Sequence, residues 1–321
     1  MNAAIIAEAG ALVPALLTAF PLPAMQTNAA GQLPLHELVA RSSQSHWDAN
    51  PVLEAFLSAN PAAAAAADPT TARLPLHALV ASGGWSTPLL AAYPAAATVP
   101  DPQTGQLLLH QALTADHSSK EAMQAHFQAN PAAAAQPDPL TGYFPLHQAL
   151  LWCKHSLQVL SAQFLLQLLG AHPQAAAIKM RSGYYALHLA VTASIDEVEK
   201  LQLVPALLSA YPLAALMRSE DGDLPLHKAA RQLFNASLVK ALLDACPSAA
   251  AVANRHGVIA LHVAAAKQTG PDDVSVIQAL VRAFAEGSLV LNQDGQLPLH
   301  CAAARAPEST VTATLLAALP E

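Results

Sequence analysis

The fold this sequence predicts is mainly α: a solenoid of helix-turn-helix repeats with projecting loops. Three recurring marks predict it. A tetrapeptide ending in Leu-His occurs eight times, as "LPLH" at 33–36, 74–77, 224–227 and 297–300 and as "LLLH", "FPLH", "YALH" and "IALH" at 107–110, 144–147, 185–188 and 259–262. Its histidines are His36, His77, His110, His147, His188, His227, His262 and His300. They recur at intervals of a few tens of positions, the period of a helical repeat array. Ahead of the motif an apolar segment closes on Leu-Leu-x-Ala-x-Pro, as in "LLAAYP" and "LLGAHP", and a glycine stands five positions before the histidine in seven of the eight copies.

The opening stretch "LVPALLTAFP" (12–21) is itself part of this pattern. A secretion signal needs a positive charge ahead of its apolar core, and this one has Glu8 there and Pro14, Pro21 and Pro23 through it. The near-copy "LVPALLSAYP" at 203–212 matches it at eight of ten positions, so residues 4–20 read as the second helix of an incomplete repeat. The expected organisation is a single array over 1–321, with a half-repeat at 1–25 and eight motif repeats over about 26–321.

Local chemistry assigns the parts of each repeat. Pro34, Pro75, Pro145, Pro225 and Pro298 sit where a first helix begins, a position whose fixed φ and missing N–H suit a helix start. The histidine follows in the first turn, and Ala comes two positions later in six copies, small enough for an adjacent helix to approach. Second-helix starts are marked by "NPVLE" (50–54), "TP" (87–88), "GP" (270–271) and "SIDE" (194–197), the last with capping-box spacing. The later proline ends that helix by pushing the residue before it out of the helical region. The stretch from that proline to the histidine hardly varies, as Pro61 to His77 and Pro173 to His188 show. The stretch from the histidine to the next proline varies widely, from His77–Pro94 to the much longer His147–Pro173, so insertions should emerge on one edge. The Ala-rich "NPAAAAAADP" and "NPAAAAQPDP" read as connecting loops under relaxed constraint.

The arrangement G-x-(apolar)-P-L-H-x-A, followed by a helix ending in Leu-Leu and a turn to the next Gly, resembles the ankyrin repeat from about Ala4 to Pro320. The resemblance implies L-shaped units of two antiparallel helices with a projecting loop, and contacts made by loop tips and the exposed residues of first helices. Two departures mark a divergent version. The Thr of the ankyrin pattern is apolar in every copy, from Leu33 to Leu297, so a hydroxyl cap worth about 1 kcal/mol is missing and apolar burial is expected to compensate. Pro stands where the ankyrin second helix ends in Gly.

Composition narrows the function. Net charge is −7 with Lys and Arg scattered, which argues against a phosphate-backbone binder, so no nucleic-acid partner is expected. No uninterrupted 18-residue apolar run occurs, so no membrane insertion is expected. Cys153, Cys246 and Cys301 form no CxxC pair, which fits a reducing, intracellular, cytoplasmic setting without excluding the nucleus.

The search for chemistry finds no catalytic site, metal site or cofactor site. Motif histidines on helices about 8–10 Å apart cannot share one ion through bonds of about 2 Å. They read instead as side chains bonding turn backbone near a helix start. "HELVA" (36–40) lacks the second histidine of a zinc-protease motif, Cys153 and His155 point to different helix faces, and no GxSxG, GxxxxGK or GxGxxG occurs.

The expectation is therefore a non-enzymatic scaffold or adaptor that binds a protein partner. The alternative is an accessory repeat region of a larger enzymatic or regulatory protein. Aromatics concentrate around the fourth and fifth motifs, which nominates Tyr143, Trp152, Arg181 and Tyr184 for contact, with Arg218, Arg231 and Arg255 extending the surface. The first 25 residues carry Glu8 as their sole charge, which raises self-association through an apolar N-terminal face.

Overall fold

The computed structural model describes residues 14–19, 21–42, 50–84, 86–115, 119–155, 160–232, 236–267 and 272–318. Among them every regular element is helical. Residues 14–19 form α1. Eight helix pairs follow in order: α2 (Pro34–Ser42) with α3 (Asn50–Ala59), α4 (Pro75–Ala81) with α5 (Thr87–Ala92), α6 (Leu108–Thr114) with α7 (Lys120–Ala129), α8 (Pro145–His155) with α9 (Ala162–Ala171), α10 (Ala186–Thr192) with α11 (Glu197–Ala210), α12 (Pro225–Arg231) with α13 (Ala236–Ala245), α14 (Ala260–Ala265) with α15 (Asp272–Ala283), and α16 (Pro298–Arg305) with α17 (Thr310–Ala317). Each motif opens the first helix of its pair.

The chain divides into two compact units, Met1–Gln148 and Ala149–Glu321, with the division falling inside α8. In the first unit, first helices stack in series (α2 on α4 on α6), as do second helices (α3 on α5 on α7). In the second unit the corresponding runs are α10–α12–α14–α16 and α9–α11–α13–α15–α17. The small residue after the histidine permits this approach: Ala112, Ala149, Ala190, Ala229 and Ala302 are each at most 1% exposed.

The Ala-rich stretches are not weakly constrained loops. After each second helix from α3 to α15 comes a 3-10 helix, opening on Pro61, Pro94, Pro131, Pro173, Pro212 and Pro247 and, in one copy, on Ala285. Its third and fourth residues are buried each time: Ala63 and Ala64, Ala96 and Ala97, Ala133 and Ala134, Ala175 and Ala176, Ala214 and Ala215, Ala249 and Ala250, with Gly287 and Ser288 in the last. Only the smallest side chains occupy these places. Each of these repeats thus has three helical parts where the sequence reading gave two.

The turn before the motif comes in two lengths, and these account for the small difference between the Pro61–His77 and Pro173–His188 stretches. Five copies close with a bond four positions apart, for example Met180 N–H to Tyr184 O (2.8 Å) and Asn254 N–H to Val258 O (2.8 Å). Three close five apart, Asp68 to Arg73 (2.9 Å), Asp101 to Gln106 (2.8 Å) and Asp138 to Tyr143 (2.8 Å). The residue five before the histidine has positive φ in all eight copies, including Ala72 at +59° where glycine is missing. At Gly222 a Cβ would also come within 2.8 Å of the Arg255 backbone nitrogen in the next turn, so consecutive turns stack closely.

Two local expectations are corrected. Helix α11 starts at Glu197, and its cap is Asp196, whose carboxylate accepts the Glu197 N–H at 2.9 Å. Ser194 instead gives its N–H to Cys153 O (3.1 Å), so "SIDE" is not a capping box. The missing hydroxyl cap of the first helices is also not replaced by apolar burial alone. The motif histidine sits at the third helical position, and its Nδ1 accepts the N–H of the cap residue, supplying the backward half of a capping box. Leu74, Leu107, Leu224 and Ile259 are buried, while Leu33, Phe144, Tyr185 and Leu297 are half-buried.

Residues 1–13, with Glu8 and most of the apolar N-terminal stretch, lie outside the described residues, as do "GP" at 270–271 and the side chain of His155. Of the neighbouring apolar side chains, Leu16, Leu22 and Met25 are exposed. Among the described residues no helix is long and apolar enough to cross a membrane.

Candidate interaction surface

The motif histidines define the frame on which any surface residue is held. In six repeats Nδ1 accepts the cap N–H: Leu33 to His36 (3.0 Å), Leu107 to His110 (3.3 Å), Tyr185 to His188 (3.3 Å), Leu224 to His227 (3.1 Å), Ile259 to His262 (3.3 Å) and Leu297 to His300 (3.0 Å). Nε2 lies 2.9–3.0 Å from a carbonyl oxygen leading into the next repeat: Ala66, Val99 and Gln136 for His36, His77 and His110, and Asp223, Val258 and Gln296 for His188, His227 and His262. A carbonyl cannot donate, so where both bonds are made, as at His110, His188, His227 and His262, Nε2 carries the proton, Nδ1 is the acceptor and the ring is neutral. Burial pushes the pKa values of His77, His110, His227 and His262 down, and that of His188 down to about 4.

A second ladder of side chains links successive turns. In the first unit, Gln32 Nε2 donates to Asp68 (3.1 Å), Arg73 pairs with Asp101, and Gln106 Nε2 donates to Asp138 (3.0 Å). Gln111 and Gln148, each directly after a motif histidine, reach back to Asp101 and Asp138. Burial raises the pKa values of Asp68 and Asp101, but the hydrogen bonds they accept outweigh it and hold both below the usual carboxylate range. These carboxylates are already occupied by the chain's own donors.

The ladder position four before the histidine is where Tyr143 and Tyr184 stand. Tyr143, in the first unit, is half-buried; its N–H donates to Thr141 Oγ1 (3.2 Å) and its carbonyl closes the turn. Tyr184, in the second unit, is half-buried, and two ammonium groups approach its ring: Lys154 from α8 at 5.6 Å and Lys228 from α12 at 5.5 Å from the centroid. Its ring and that of Tyr185 each lie 6.0 Å from the His188 ring.

Lys228 also pairs with Asp223 (3.0 Å) and Asp221 (3.6 Å), and Arg231 pairs with Asp223 (3.2 Å). Asn254 donates to Asp223 as well (2.8 Å). Burial works to raise the Asp223 pKa, yet these bonds and the two cations keep it low. Around this cluster, Arg181 is exposed on the turn that ends at Tyr184, and Trp152 is half-buried on α8. Arg218 is exposed but committed, donating to Ala253 O (2.6 Å) in the following turn. Arg255 is exposed and packs beside Gly222, and its carbonyl accepts from Gln293 Nε2 (2.7 Å).

The structure thus gathers Tyr184 with Lys154 and Lys228 and, through Asp223, with Arg231. It leaves Tyr143 in the first unit. Sequence reasoning missed Lys154, Lys228 and Asp223. The signal for Lys228 was its place directly after the histidine, the position from which Gln111 and Gln148 also reach their turns.

Groups that could suggest catalysis are sealed. Ser86 Oγ and His126 Nε2 are 3.0 Å apart, but each residue is 1% exposed, and burial alone takes the His126 pKa down to about 4. Cys153 is fully buried and its thiol is pushed up to about 11 by burial, which keeps it protonated and inert. Among the described residues no cluster of three or more His, Cys, Asp or Glu could hold a metal ion.

No protein-family model matches this chain, and no curated protein matches it. Among solved structures it is similar to one chain of the complex between the predatory endopeptidase Bd0816 of Bdellovibrio bacteriovorus and the immunity protein Bd3460, with 21% identity, a TM-score of 0.48, and coverage of 65% of this chain and 96% of that one. A likeness at that level carries no functional argument.

Proposed function

We propose that this protein is an ankyrin-like repeat scaffold or adaptor that binds a protein partner, without catalysis of its own, through the turns and first helices of its repeats. The observation that carries this reading is the setting of Tyr184. In the equivalent place other repeats carry Gln32, Arg73 or Gln106, which spend their side chains on the next turn's carboxylate. Tyr184 instead presents a half-buried ring flanked by two ammonium groups. Rigid aromatics and nearby cations on a preorganised frame are the residue types that dominate interface energetics.

The test is site-specific photo-crosslinking in cells, with a photoreactive amino acid placed in turn at Tyr143, Trp152, Tyr184 and Arg255, and at Ser275 on a second helix. Discrete adducts from the turn and first-helix positions, and none from Ser275, are the expected outcome. Adducts equally abundant at Ser275, or none anywhere, would remove the reading.

A further inference from the structure

Charge is distributed unevenly along this chain. Residues 1–148 carry three Lys and Arg against nine Asp and Glu, while residues 149–321 carry twelve against thirteen. Within the second unit, two ammonium groups meet at the Tyr184 ring, and Arg181 stands three positions before Tyr184 on the same turn. Lys154 and Lys228 come from the first helices on either side of α10, and Arg181 comes from the turn leading into α10.

An aromatic face attracts a cation within about 6 Å, but two ammonium groups at one ring also repel each other. Asp223 and Asp221 neutralise Lys228. Lys154 and Arg181 are exposed and, among the described residues, have no carboxylate within 4.0 Å. In a chain of net charge −7 these are two exposed cations left without an ion-pair partner among the described residues.

We infer that this face docks an acidic, extended segment of a protein partner, with carboxylates seated on Lys154 and Arg181 and the Tyr184 ring beneath its backbone. Same-side residues of an extended strand recur about every 7 Å and neighbouring helices lie about 8–10 Å apart, a difference that the long Lys154 and Arg181 side chains can take up, so two carboxylates of one strand can reach these two cations. The inference rests on the protein-docking reading above and adds the chemistry of what docks.

Fluorescence anisotropy of a labelled peptide of about ten residues, alternating Glu and Ser, tests it with the full chain. The expected result is saturable binding that weakens with added salt, loosens about tenfold or more in Lys154→Ala with Arg181→Ala, and recovers in Lys154→Arg with Arg181→Lys. A control pair, Lys240→Ala with Arg282→Ala on the second-helix groove between α13 and α15, should leave it unchanged.

Absence of binding, binding indifferent to Lys154 and Arg181, equal loss in the control pair, or equal competition by single-stranded RNA overturns the inference. Circular dichroism of each variant guards against loss of fold. Crosslinks from Tyr184 without peptide binding would sink the acidic-segment inference and leave protein docking standing; peptide binding without crosslinks would sink docking in cells and leave the surface chemistry standing.

Discussion

In five repeats one imidazole holds two backbone groups: a cap N–H of its own helix and a carbonyl leading into the next repeat. At His227 the partners are Leu224 N–H (3.1 Å) and Val258 O (2.9 Å), and Leu224 is fully buried. Replacing the ring strands the buried Leu224 N–H, at about 1–3 kcal/mol, while Val258 O keeps the Asn254 N–H (2.8 Å). His227→Ala should therefore destabilise the second unit by about 1–3 kcal/mol in a urea titration. A loss below about 0.5 kcal/mol would mean the bridge contributes little. At Ala72 the opposite change is expected to help. Its φ of +59° costs a side-chain-bearing residue about 1–2 kcal/mol, which glycine avoids while giving back part in chain entropy. Ala72→Gly should raise stability by up to about 1 kcal/mol, read as a higher denaturation midpoint.

At the scale of elements, the 3-10 segment after the second helix sets the tolerances. Ala133 and Ala134 are 0% and 2% exposed, leaving no room for a longer side chain. Ala133→Leu should cost about 1–3 kcal/mol through overpacking, whereas the neighbouring exposed Ala132→Leu should be near neutral. Equal effects at the two positions would contradict the packing assignment. One such segment starts on Ala285 in place of proline, yet Phe284 before it keeps the extended backbone (φ −150°, ψ 86°) that His172 shows ahead of Pro173 (φ −145°, ψ 79°). The site is already shaped for proline, so Ala285→Pro should raise stability by about 0.4–1 kcal/mol by restricting the unfolded chain. A drop in thermal midpoint would show that the Ala285 N–H is needed.

Across the whole molecule the buried histidines act together. His77, His110, His126, His188, His227 and His262 all have folded pKa values below the ordinary 6.5. Above that value both folded and unfolded chains hold them neutral, and stability is at its full level. Below it the unfolded chain takes up protons that the folded one refuses, so stability falls with falling pH, down to about 4 for His126 and His188. The slope is up to about 1.4 kcal/mol per pH unit for each ring, enough for six to exhaust a stability of about 5–15 kcal/mol within a few units. Asp68, Asp101 and Asp223 add to the acid sensitivity lower down, as pH falls through their depressed folded values. Denaturation midpoints measured from about pH 7.5 to 4.5 should hold steady down to about 6.5 and then drop steeply. A flat profile to pH 5 would refute the neutral, Nε2-protonated assignment.

The helical repeat, its register, the first-helix starts and the obligatory positive-φ turn were all legible in sequence. They rest on local chemistry that recurs at fixed spacing: proline at a helix start, glycine in a turn, Leu-Leu ahead of a proline. The two turn lengths were present as two proline-to-histidine spacings, Pro61 to His77 against Pro173 to His188, since an inserted residue must be absorbed somewhere between fixed ends. Tyr184 was legible as a loop aromatic at a notable position. Only the tertiary structure decided the rest. The burial of Ala63 and Ala64 and their counterparts, the acceptor of each histidine Nε2, the carboxylate ladder and the meeting of Lys154 and Lys228 at Tyr184 all depend on residues from separate repeats. A repeating sequence specifies what each unit offers to its neighbour, but which offers meet depends on the distance and tilt between stacked helices, and these follow from packing rather than from any local run of residues.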